Sequence, residues 1–364
     1  MNILKTHPQQ DGFRMPAEFE KHSAAYMIFP QRADTWRNKA NPAQEVFSEI
    51  AAVIGKYEPL TMFVSAKCSD HARQILPSYI RIIKISSDDA WARDTGATFI
   101  KNDKGILRGI DWKFNAWGGD IDGLYFPCDK DEKIAKKMCE LEKADRYRLD
   151  DFVLEGGSIH TDGQGTLLTT KACLLSKGRN PHLSKEQIEL KLKQYLNVQK
   201  IIWLERGIYL DETNEHIDNI CCFVKPACAA LAWTDDKNDP QYELSKSAYD
   251  ILSNTKDAKG RDIEIHKIHL PKPQFITQEE AKGIDCVKGT YQRKAGMRLA
   301  ASYINYFVCN GAVIMPSFKD PNDAKAKEAL AKLYPDRDII QIYSREILLG
   351  GGNIHCITQQ VPQK

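Results

Sequence analysis

The strongest constraint on the fold is a unit of helix, strand and hairpin that recurs along the whole chain. Helices are predicted at 42–57, 69–76, 130–143, 184–196, 242–253 and 322–334. A short apolar strand follows each helix closely, as IRIIKI (80–85) follows the second one. Because a long-period repeat indicates a fold built from equivalent units, we expect a repeated architecture rather than a single irregular core.

Two of these helices carry recognisable start signals. Asn41 is predicted as the N-cap of the helix at 42–57, with Pro42 in its first turn. Ser184 and Gln187 form the pattern of a capping box at the start of the helix at 184–196.

Hairpins complete the units and suggest how the ends of the chain meet. Asp162-Gly163 and Asn310-Gly311 each separate two strand candidates, a strong hairpin signal. The fifth hairpin has a single strand, NIHCITQQV (353–361), and we expect AYMIFP (25–30) to be its partner. Such a pairing would close a ring, as propellers do. No low-complexity stretch or Gly/Ser linker interrupts the array, so we expect one α/β domain over residues 1–364.

Composition narrows the classes of function. The net charge of +2 disfavours a polyanionic partner such as nucleic acid or a membrane surface. No apolar run approaches the roughly 18 residues that span a bilayer, and the first residues lack a secretory signal. The ten cysteines show no C-x-x-C pair, which favours reduced thiols and a cytoplasmic protein. Without a metal-ligand pattern, a Walker loop or a dinucleotide fingerprint, we expect no metal and no cofactor.

The residues that can carry chemistry occupy equivalent points, where each inner unit enters its hairpin. They belong to WARD (91–94), EGG (155–157), HID (216–218) and GGGNIHC (350–356). Asp94, Glu155 and His216 follow one another at a spacing of 61 residues. A repeat that brings the same loop to one axis would gather these side chains in one pocket.

Cys356 is the candidate nucleophile. A lone cysteine in an apolar strand is more often an ordinary buried thiol. The functional interpretation is favoured by the preceding glycines, including Gly352, which leave room for a ligand beside the sulfur. It also requires a base elsewhere in the chain.

His216 and Asp218 supply that base. In an extended segment, residues two apart point to the same face, so both would line one wall of the pocket. The alternative is a solvent-facing polar pair. His160 and Asp162 have the same spacing, but Asp162 precedes Gly163 and is typical of a turn, so this pair ranks second.

Asp94, Glu155 and two tryptophans complete the candidate site. Asp94 could be half of a surface pair with Arg93, or it could grip a cation against the apolar wall of Trp91. Glu155 could be a strand-end carboxylate, although the glycines after it would let a substrate approach. Trp117 could wall a flat ligand or belong to the core.

The combination of one thiol, one histidine and three carboxylates indicates a cationic ligand. Carboxylates repel a thiolate and raise the pKa of the thiol, a penalty that a bound cation removes. A guanidinium fits best, because its planar, forked donors match carboxylates in bidentate fashion.

The motifs WARDxG, FNAWGG, EGGSxHxDGxGTLLTT, ExNxHxDN and GGGNIHCITQQxP resemble those of the agmatine deiminase family. The similarity runs from DGFRMPAEFE to the final QQVP, and the order of the motifs makes it specific. The resemblance implies a pentein fold, a five-bladed α/β propeller, and a guanidine-modifying hydrolase of polyamine (putrescine) biosynthesis.

The resemblance also implies a role for each site residue. Cys356 would attack the guanidinium carbon of agmatine, while Asp94 and Asp218 hold the guanidinium. His216 would protonate departing ammonia, leave a thiouronium on the sulfur, and then activate water to release N-carbamoylputrescine. Glu155 would support His216 and bind a guanidinium nitrogen.

Specificity and two departures from the family pattern leave alternatives open. A site for agmatine should lack a pairing arginine and offer the far amine an acceptor, for which Glu212 and Asp88 are candidates.

Glu215 replaces the usual glycine before the motif histidine, and Ala97 replaces a proline. A deiminase of free or peptidyl arginine and a weakened guanidine-binding paralogue are therefore the alternatives. A dimer or tetramer is compatible with the sequence.

Overall fold

The computed structural model describes residues 1–364 and contains five sheets of similar construction, which we call blades. The strands are β1 (Ile3–Leu4), β2 (His22–Ile28), β3 (Leu60–Val64), β4 (Arg81–Lys84), β5 (Thr98–Lys101), β6 (Leu107–Lys113), β7 (Asp145–Val153), β8 (His160–Thr161), β9 (Thr166–Thr170), β10 (Lys200–Leu204), β11 (Cys221–Lys225), β12 (Cys228–Trp233), β13 (Glu264–His269), β14 (Gln274–Phe275), β15 (Arg298–Leu299), β16 (Phe307–Cys309), β17 (Ala312–Ser317), β18 (Asp338–Tyr343) and β19 (Thr358–Pro362).

Helices connect the strands within each blade and also lead from one blade to the next. They are α1 (Asn41–Ile54), α2 (Ser69–Ile75), α3 (Ala92–Thr95), α4 (Gly119–Asp122), α5 (Ile134–Glu142), α6 (Lys171–Leu174), α7 (Lys185–Leu196), α8 (Ile217–Ile220), α9 (Gln241–Ser253), α10 (Gln278–Lys282), α11 (Asn322–Leu333) and α12 (Arg345–Leu349). None of them combines the length and the apolar character that crossing a membrane demands.

Each blade repeats one strand pattern. An antiparallel hairpin is followed by a helix, and the strand after that helix pairs in parallel with the second strand of the hairpin. The blades are β5-β6-β7, β8-β9-β10, β11-β12-β13, β16-β17-β18 and β19-β2-β3-β4. These blades confirm the predicted fivefold α/β propeller.

The last blade joins the two ends of the chain. β19 runs antiparallel to β2, with Thr358 opposite Met27 and Val361 opposite Ala24. The predicted closure is therefore confirmed, and it keeps the segment next to Cys356 from fraying. That the chain forms a single domain remains a prediction.

Of the two predicted helix starts, one is confirmed and the other is wrong. Ser184 and Gln187 make both hydrogen bonds of a capping box, with the backbone N–H of Gln187 donating to Ser184 Oγ at 3.3 Å. Asn41, however, is the first residue of α1 and not its N-cap. Ala40 precedes it at φ +69°, and α1 ends at Ile54, because a short 3₁₀ turn (Asn38–Ala40) feeds directly into the helix.

Short turns stand ahead of the first strand of four blades and carry the motif residues. Asp94 lies in α3, before β5, and the 3₁₀ turn Gly156–Ser158 precedes β8. His216 immediately precedes α8, so the prediction that His216–Asp218 is extended is wrong. The placement of Cys356 in a strand is also wrong, because β19 begins two residues later. Turns allow several side chains to point inward from one short segment.

Candidate active site

Three of the predicted site residues meet at Gly157. A Cβ atom added there would lie 2.6 Å from His216 Nδ1 and 2.9 Å from one oxygen each of Asp218 and Asp94. The N–H of Gly157 donates to Asp94 Oδ1 at 2.9 Å. Any larger residue would occupy space that these side chains share, so the glycine is what permits their convergence.

Cys356 joins this group through Asp218. Its Sγ lies 3.4 Å from Asp218 Oδ2, and Asn305 Nδ2 donates to the sulfur at 3.1 Å. The side-chain oxygen of Asn305 accepts the N–H of His355 at 3.0 Å, which fixes the turn that carries the thiol. Asn305 was missed in the sequence, where the only signal was an asparagine between apolar residues.

The thiol occupies an acidic, buried environment. Burial, followed by the negative charges of Asp218 and Asp94, raises the pKa of Cys356 well above its ordinary value. The raised pKa of Cys356 confirms the prediction from the sequence that nearby carboxylates raise the pKa of this thiol. A cation bound between the carboxylates would offset the repulsion and favour the thiolate.

Asp94 is held by two hydrogen bonds. Trp117 donates its Nε1–H to Asp94 Oδ2 at 2.9 Å, and Gly157 holds the other oxygen. Burial raises the pKa of Asp94 to about 6, with Asp218 and Glu155 adding to the shift against the attraction of His216. A cation bound next to Asp94 would therefore favour the charged form of this carboxylate.

The two nitrogens of His216 face different groups. Nε2 lies 3.4 Å from Glu155 Oε2, whereas Nδ1 lies toward Gly157 and 4.0 Å from Asp94 Oδ2. Burial opposes the imidazolium, but Asp94 and the adjoining Cys173 and Glu155 raise the pKa of His216 well above its ordinary value. The imidazole is therefore held as a proton donor.

Glu155 is committed to protein partners. Arg179 Nε donates to its Oε1 at 2.8 Å, and Oε2 faces His216. Burial opposes its charge, but Arg179 and His216 outweigh burial and hold the pKa of Glu155 below its ordinary value. This geometry fits the predicted support of His216, whereas the contact of Glu155 with a guanidinium nitrogen stays a prediction.

A buried relay that the sequence did not reveal stands behind Asp218. His355 Nδ1 lies 2.8 Å from Asp218 Oδ2, and its Nε2 lies 2.9 Å from Glu18 Oε2. Arg93 completes the relay by donating to Glu18 Oε1 at 3.1 Å. Burial opposes the charge of Asp218, yet His355 keeps the pKa of Asp218 below its ordinary value. Asp218 is thus fixed as a carboxylate next to the sulfur.

A cavity lies next to Cys356 and Asp94. Its other walls are formed by Asp34, Thr35, Asp89, Trp91, Trp117, Leu124, Tyr125, Glu212, Thr213, Arg293, Gly350, Gly351 and Gly352. Its free volume of about 10 Å³ is room for one water molecule. A Cβ on Gly352 would lie 2.6 Å from the Trp91 ring and 3.1 Å from Cys356 Sγ, so this glycine opens the space beside the sulfur as expected.

The far end of the cavity differs from the sequence-based expectation. Asp88 does not line it, because Lys130 donates to both Asp88 oxygens, each at 2.9 Å. Buried Asp131 accepts the N–H groups of Asp88 and Asp89 and turns the chain so that Asp89 faces inward instead. Asp88 is therefore the wrong residue of this pair.

Glu212 does line the cavity, but it is paired. Arg293 donates to Glu212 and, at 2.7 Å, to the carbonyl oxygen of Gly350. An arginine is therefore present in the cavity, but acceptors of the protein already satisfy its guanidinium, and the expectation that the site lacks an arginine free to pair with a carboxylate stays a prediction. Burial raises the pKa of Glu212 against the attraction of Arg293.

The remaining sequence candidates have structural roles. His160 Nδ1 lies 3.2 Å from the N–H of Phe223, and Asp162 accepts the N–H of Gln164 at 2.8 Å, as a turn residue does. Glu215 adopts φ +68°, the left-handed conformation that the usual glycine would favour. Arg206 and the N–H of Gly207 hold its carboxylate. The substitution therefore leaves the backbone path to His216 intact.

Ala97 is fully buried, and its carbonyl oxygen accepts a hydrogen bond from Gln359 Nε2 at 3.0 Å. An alanine in place of proline thus disturbs no site residue.

The fold and this arrangement of thiol, imidazole and carboxylates define a guanidine-modifying enzyme of the pentein type. Residues 14–362 match the family model described as Porphyromonas-type peptidyl-arginine deiminase. The chain belongs to that family.

Individual relatives are similar over their whole length. The chain is 60% identical over 363 residues to a Listeria monocytogenes protein provisionally named agmatine deiminase 1, covering all of both chains. It is 52% identical to the agmatine deiminase of Pseudomonas aeruginosa, covering 98% of this chain and 97% of the relative. A solved structure of Enterococcus faecalis agmatine deiminase superimposes with a TM-score of 0.97 at 48% identity, covering 100% and 99% of the two chains.

Proposed function

We propose that this protein hydrolyses the small molecule agmatine to N-carbamoylputrescine and ammonia. The observation that carries the proposal is the convergence of Asp94, Asp218 and His216 around Gly157, with Cys356 next to Asp218, at the end of a cavity walled by tryptophans. The relatives of similar length that bear the name agmatine deiminase support the choice of substrate.

In the first half-reaction, Asp94 and Asp218 hold the guanidinium so that its carbon faces Cys356. The sulfur forms a bond to that carbon, and the carbon–nitrogen bond to the departing amino group breaks. His216 donates a proton from Nδ1, the nitrogen on the Gly157 side, so that ammonia leaves. A cationic thiouronium remains on Cys356, and the two carboxylates stabilise its charge.

In the second half-reaction, neutral His216 accepts a proton from water, and the oxygen attacks the thiouronium carbon. The carbon–sulfur bond then breaks, the added hydroxyl group loses its proton to solvent to give the neutral ureido product, and the thiolate is regenerated next to the carboxylates. Glu155 holds Nε2 throughout, and it acts through the orientation and charge of the imidazole. The site needs acidic groups because its intermediates are cations.

A second candidate is deimination of free arginine, which the presence of Arg293 in the cavity favours. A guanidinium there could bind the α-carboxylate of arginine. We favour agmatine because Glu212 and the Gly350 carbonyl oxygen already occupy Arg293, while Asp89, Asp34 and Glu212 make this end of the cavity acidic.

The direct test measures ureido product and ammonia from agmatine, arginine and an arginine-containing peptide at matched concentrations. We expect kcat/KM for agmatine to exceed that for either arginine substrate by at least roughly 100-fold, because a carboxylate would be repelled by the acidic end of the cavity. Preference for arginine would establish the second candidate. If none of the guanidines yields product, the protein would be a guanidine-binding protein without deiminase activity.

Glu212 is expected to accept the far amine of agmatine, displacing Arg293. Glu212→Gln should therefore raise KM for agmatine by roughly 10-fold or more and change kcat less, since one charged hydrogen bond is lost far from the reacting carbon. Steady-state kinetics of the purified variant measures both constants. Asp88→Asn is the matched control, since Asp88 lies outside the cavity and should keep wild-type constants. Equal effects of the two substitutions would refute this assignment.

The activity should fall in acid. Because burial raises the pKa of Asp94 to about 6, protonation below that pH removes one of the two charges that hold the guanidinium. We therefore expect kcat/KM to be largest above pH 6 and to decline as the pH falls through it. Agmatine is doubly positive across this range, so the substrate itself does not titrate. A profile that is flat, or that rises toward acid, would contradict the role given to Asp94.

A further inference from the structure

Behind His216, on the side away from Cys356, lies a group of three side chains that the reaction does not use together. Glu155, Cys173 and His216 each offer a metal-ligating atom, and these atoms lie within 4.8 Å of one another. All three residues are fully buried. Cys173 has no part in the reaction proposed above.

The atoms that face this group lack partners. Neither His216 Nε2 nor Glu155 Oε2 makes a hydrogen bond of good geometry, although both atoms are buried. Buried polar atoms are normally satisfied, and an exception in a cluster of ligating groups points to an ion or a water.

The three residues are also held in place by their neighbours. Arg179 occupies Glu155 Oε1 at 2.8 Å and leaves Oε2 as the available oxygen. Thr170 Oγ1 accepts the N–H of Cys173 at 3.2 Å and donates to the carbonyl oxygen of Glu215 at 2.7 Å, next to His216. Such outer hydrogen bonds fix the ligands of metal sites.

The types of ligand atom determine which metal ion fits this group. One thiolate, one imidazole and one carboxylate suit Zn²⁺, whereas Mg²⁺ and Ca²⁺ require oxygen ligands. Zinc bonds of about 2.0–2.3 Å place tetrahedral ligands roughly 3.3–3.8 Å apart. The 3.4 Å between His216 Nε2 and Glu155 Oε2 matches one such edge.

We propose that Glu155, Cys173 and His216 form an inhibitory zinc site, distinct from the nucleophile. As a thiolate and a carboxylate, Cys173 and Glu155 would together balance the two charges of Zn²⁺. The metal would hold Nε2 and prevent the imidazole from cycling between acid and base. The inhibitory part of the proposal rests on the proposed function, whereas metal binding does not.

Metal binding is tested directly with Co²⁺ as the spectroscopic probe in the Cys356→Ser protein, which removes the other thiol near His216. We expect a thiolate-to-cobalt absorption band in this protein, and we expect it to vanish when Cys173→Ser or Cys173→Ala is added. X-ray absorption of the zinc-loaded Cys356→Ser protein should show one sulfur ligand. This measurement stands even where a Cys173 variant folds poorly.

The matched control is Cys228→Ser. Cys228, Glu264 and His266 form a second group of the same composition, with Cys228 buried and Glu264 exposed, in which His266 and Glu264 already contact each other at 2.8 Å. The band should survive in Cys356→Ser/Cys228→Ser. A band that survives removal of Cys173, or disappears with Cys228, would overturn the proposal, as would zinc without a sulfur ligand.

Inhibition is tested in proteins that retain Cys356, with agmatine as substrate and buffered Zn²⁺ added before it. We expect reversible inhibition that a chelator relieves, and a concentration for half inhibition at least 10-fold higher in Cys173→Ser than in wild type or Cys228→Ser. Each protein is compared with its own metal-free rate. Equal sensitivity of all three proteins would assign inhibition elsewhere and refute this proposal. If no protein turns over agmatine, the proposed function fails while the cobalt result still decides the site.

Discussion

Replacing Cys356 with serine should reduce agmatine turnover by roughly 10⁴-fold or more, the scale seen when an enzyme loses its nucleophile. The reason is chemical. Burial among carboxylates already raises the pKa of the thiol, and a serine hydroxyl in the same place is far harder to ionise. Ammonia release by the purified variant measures the loss.

Cys139→Ser is the control for this substitution. Cys139 is an equally buried thiol within α5, where a serine hydroxyl can bond to the carbonyl of the preceding turn. It should keep wild-type turnover, and Cys356→Ser should still be stabilised against heat by agmatine, because the carboxylates remain. If Cys356→Ser kept near wild-type turnover, the assigned nucleophile would be wrong.

Adding one methyl group at Gly157 should reduce kcat/KM by at least roughly 100-fold, since displacing catalytic groups by about 1 Å has effects of that size. The new Cβ would lie 2.6 Å from His216 Nδ1 and 2.9 Å from Asp94 and Asp218, closer than these atoms can approach. The three side chains would have to separate. Steady-state kinetics and thermal melting of Gly157→Ala distinguish a spoiled site from an unfolded protein.

Gly289→Ala provides the comparison. A Cβ atom at Gly289 would have no other heavy atom within 4 Å. Because the φ angle of Gly289 is +86°, alanine there introduces backbone strain without a steric clash. This variant should keep its kcat/KM. Gly157→Ala with wild-type kinetics would show that the carboxylates and imidazole do not act from the positions described.

The repeat in the sequence was sufficient to predict the blades and their closure, because hairpin turns and apolar strands are local signals. The pairing of β19 with β2 followed from counting strands. Local rules failed at the entrances to the blades. There α8 replaces the extended segment expected at His216, and a turn replaces the strand expected at Cys356, because short stretches do not distinguish a single helical turn from a strand.

Only the site residues that would contact the substrate could be predicted from the sequence. Cys356, His216 and the acidic residues stood out by type and spacing. Glu18 and Asn305 did not, because Glu18 contacts His355 across 337 residues and Asn305 contacts Cys356 across 51 residues, and neither contact leaves a local pattern. For a related reason the sequence does not show that Asp89 rather than Asp88 faces the cavity: buried Asp131, 43 residues away from Asp88, accepts the N–H groups of both and orients this turn.

The central claim is that Cys356 attacks a guanidinium held by acidic groups, and mass spectrometry of a quenched reaction tests it most directly. Enzyme mixed with agmatine and stopped in acid should gain the mass of agmatine less ammonia, and peptide mapping should place that gain on Cys356. An unmodified Cys356 at every time point during active turnover, or the same adduct on another residue, would contradict the account.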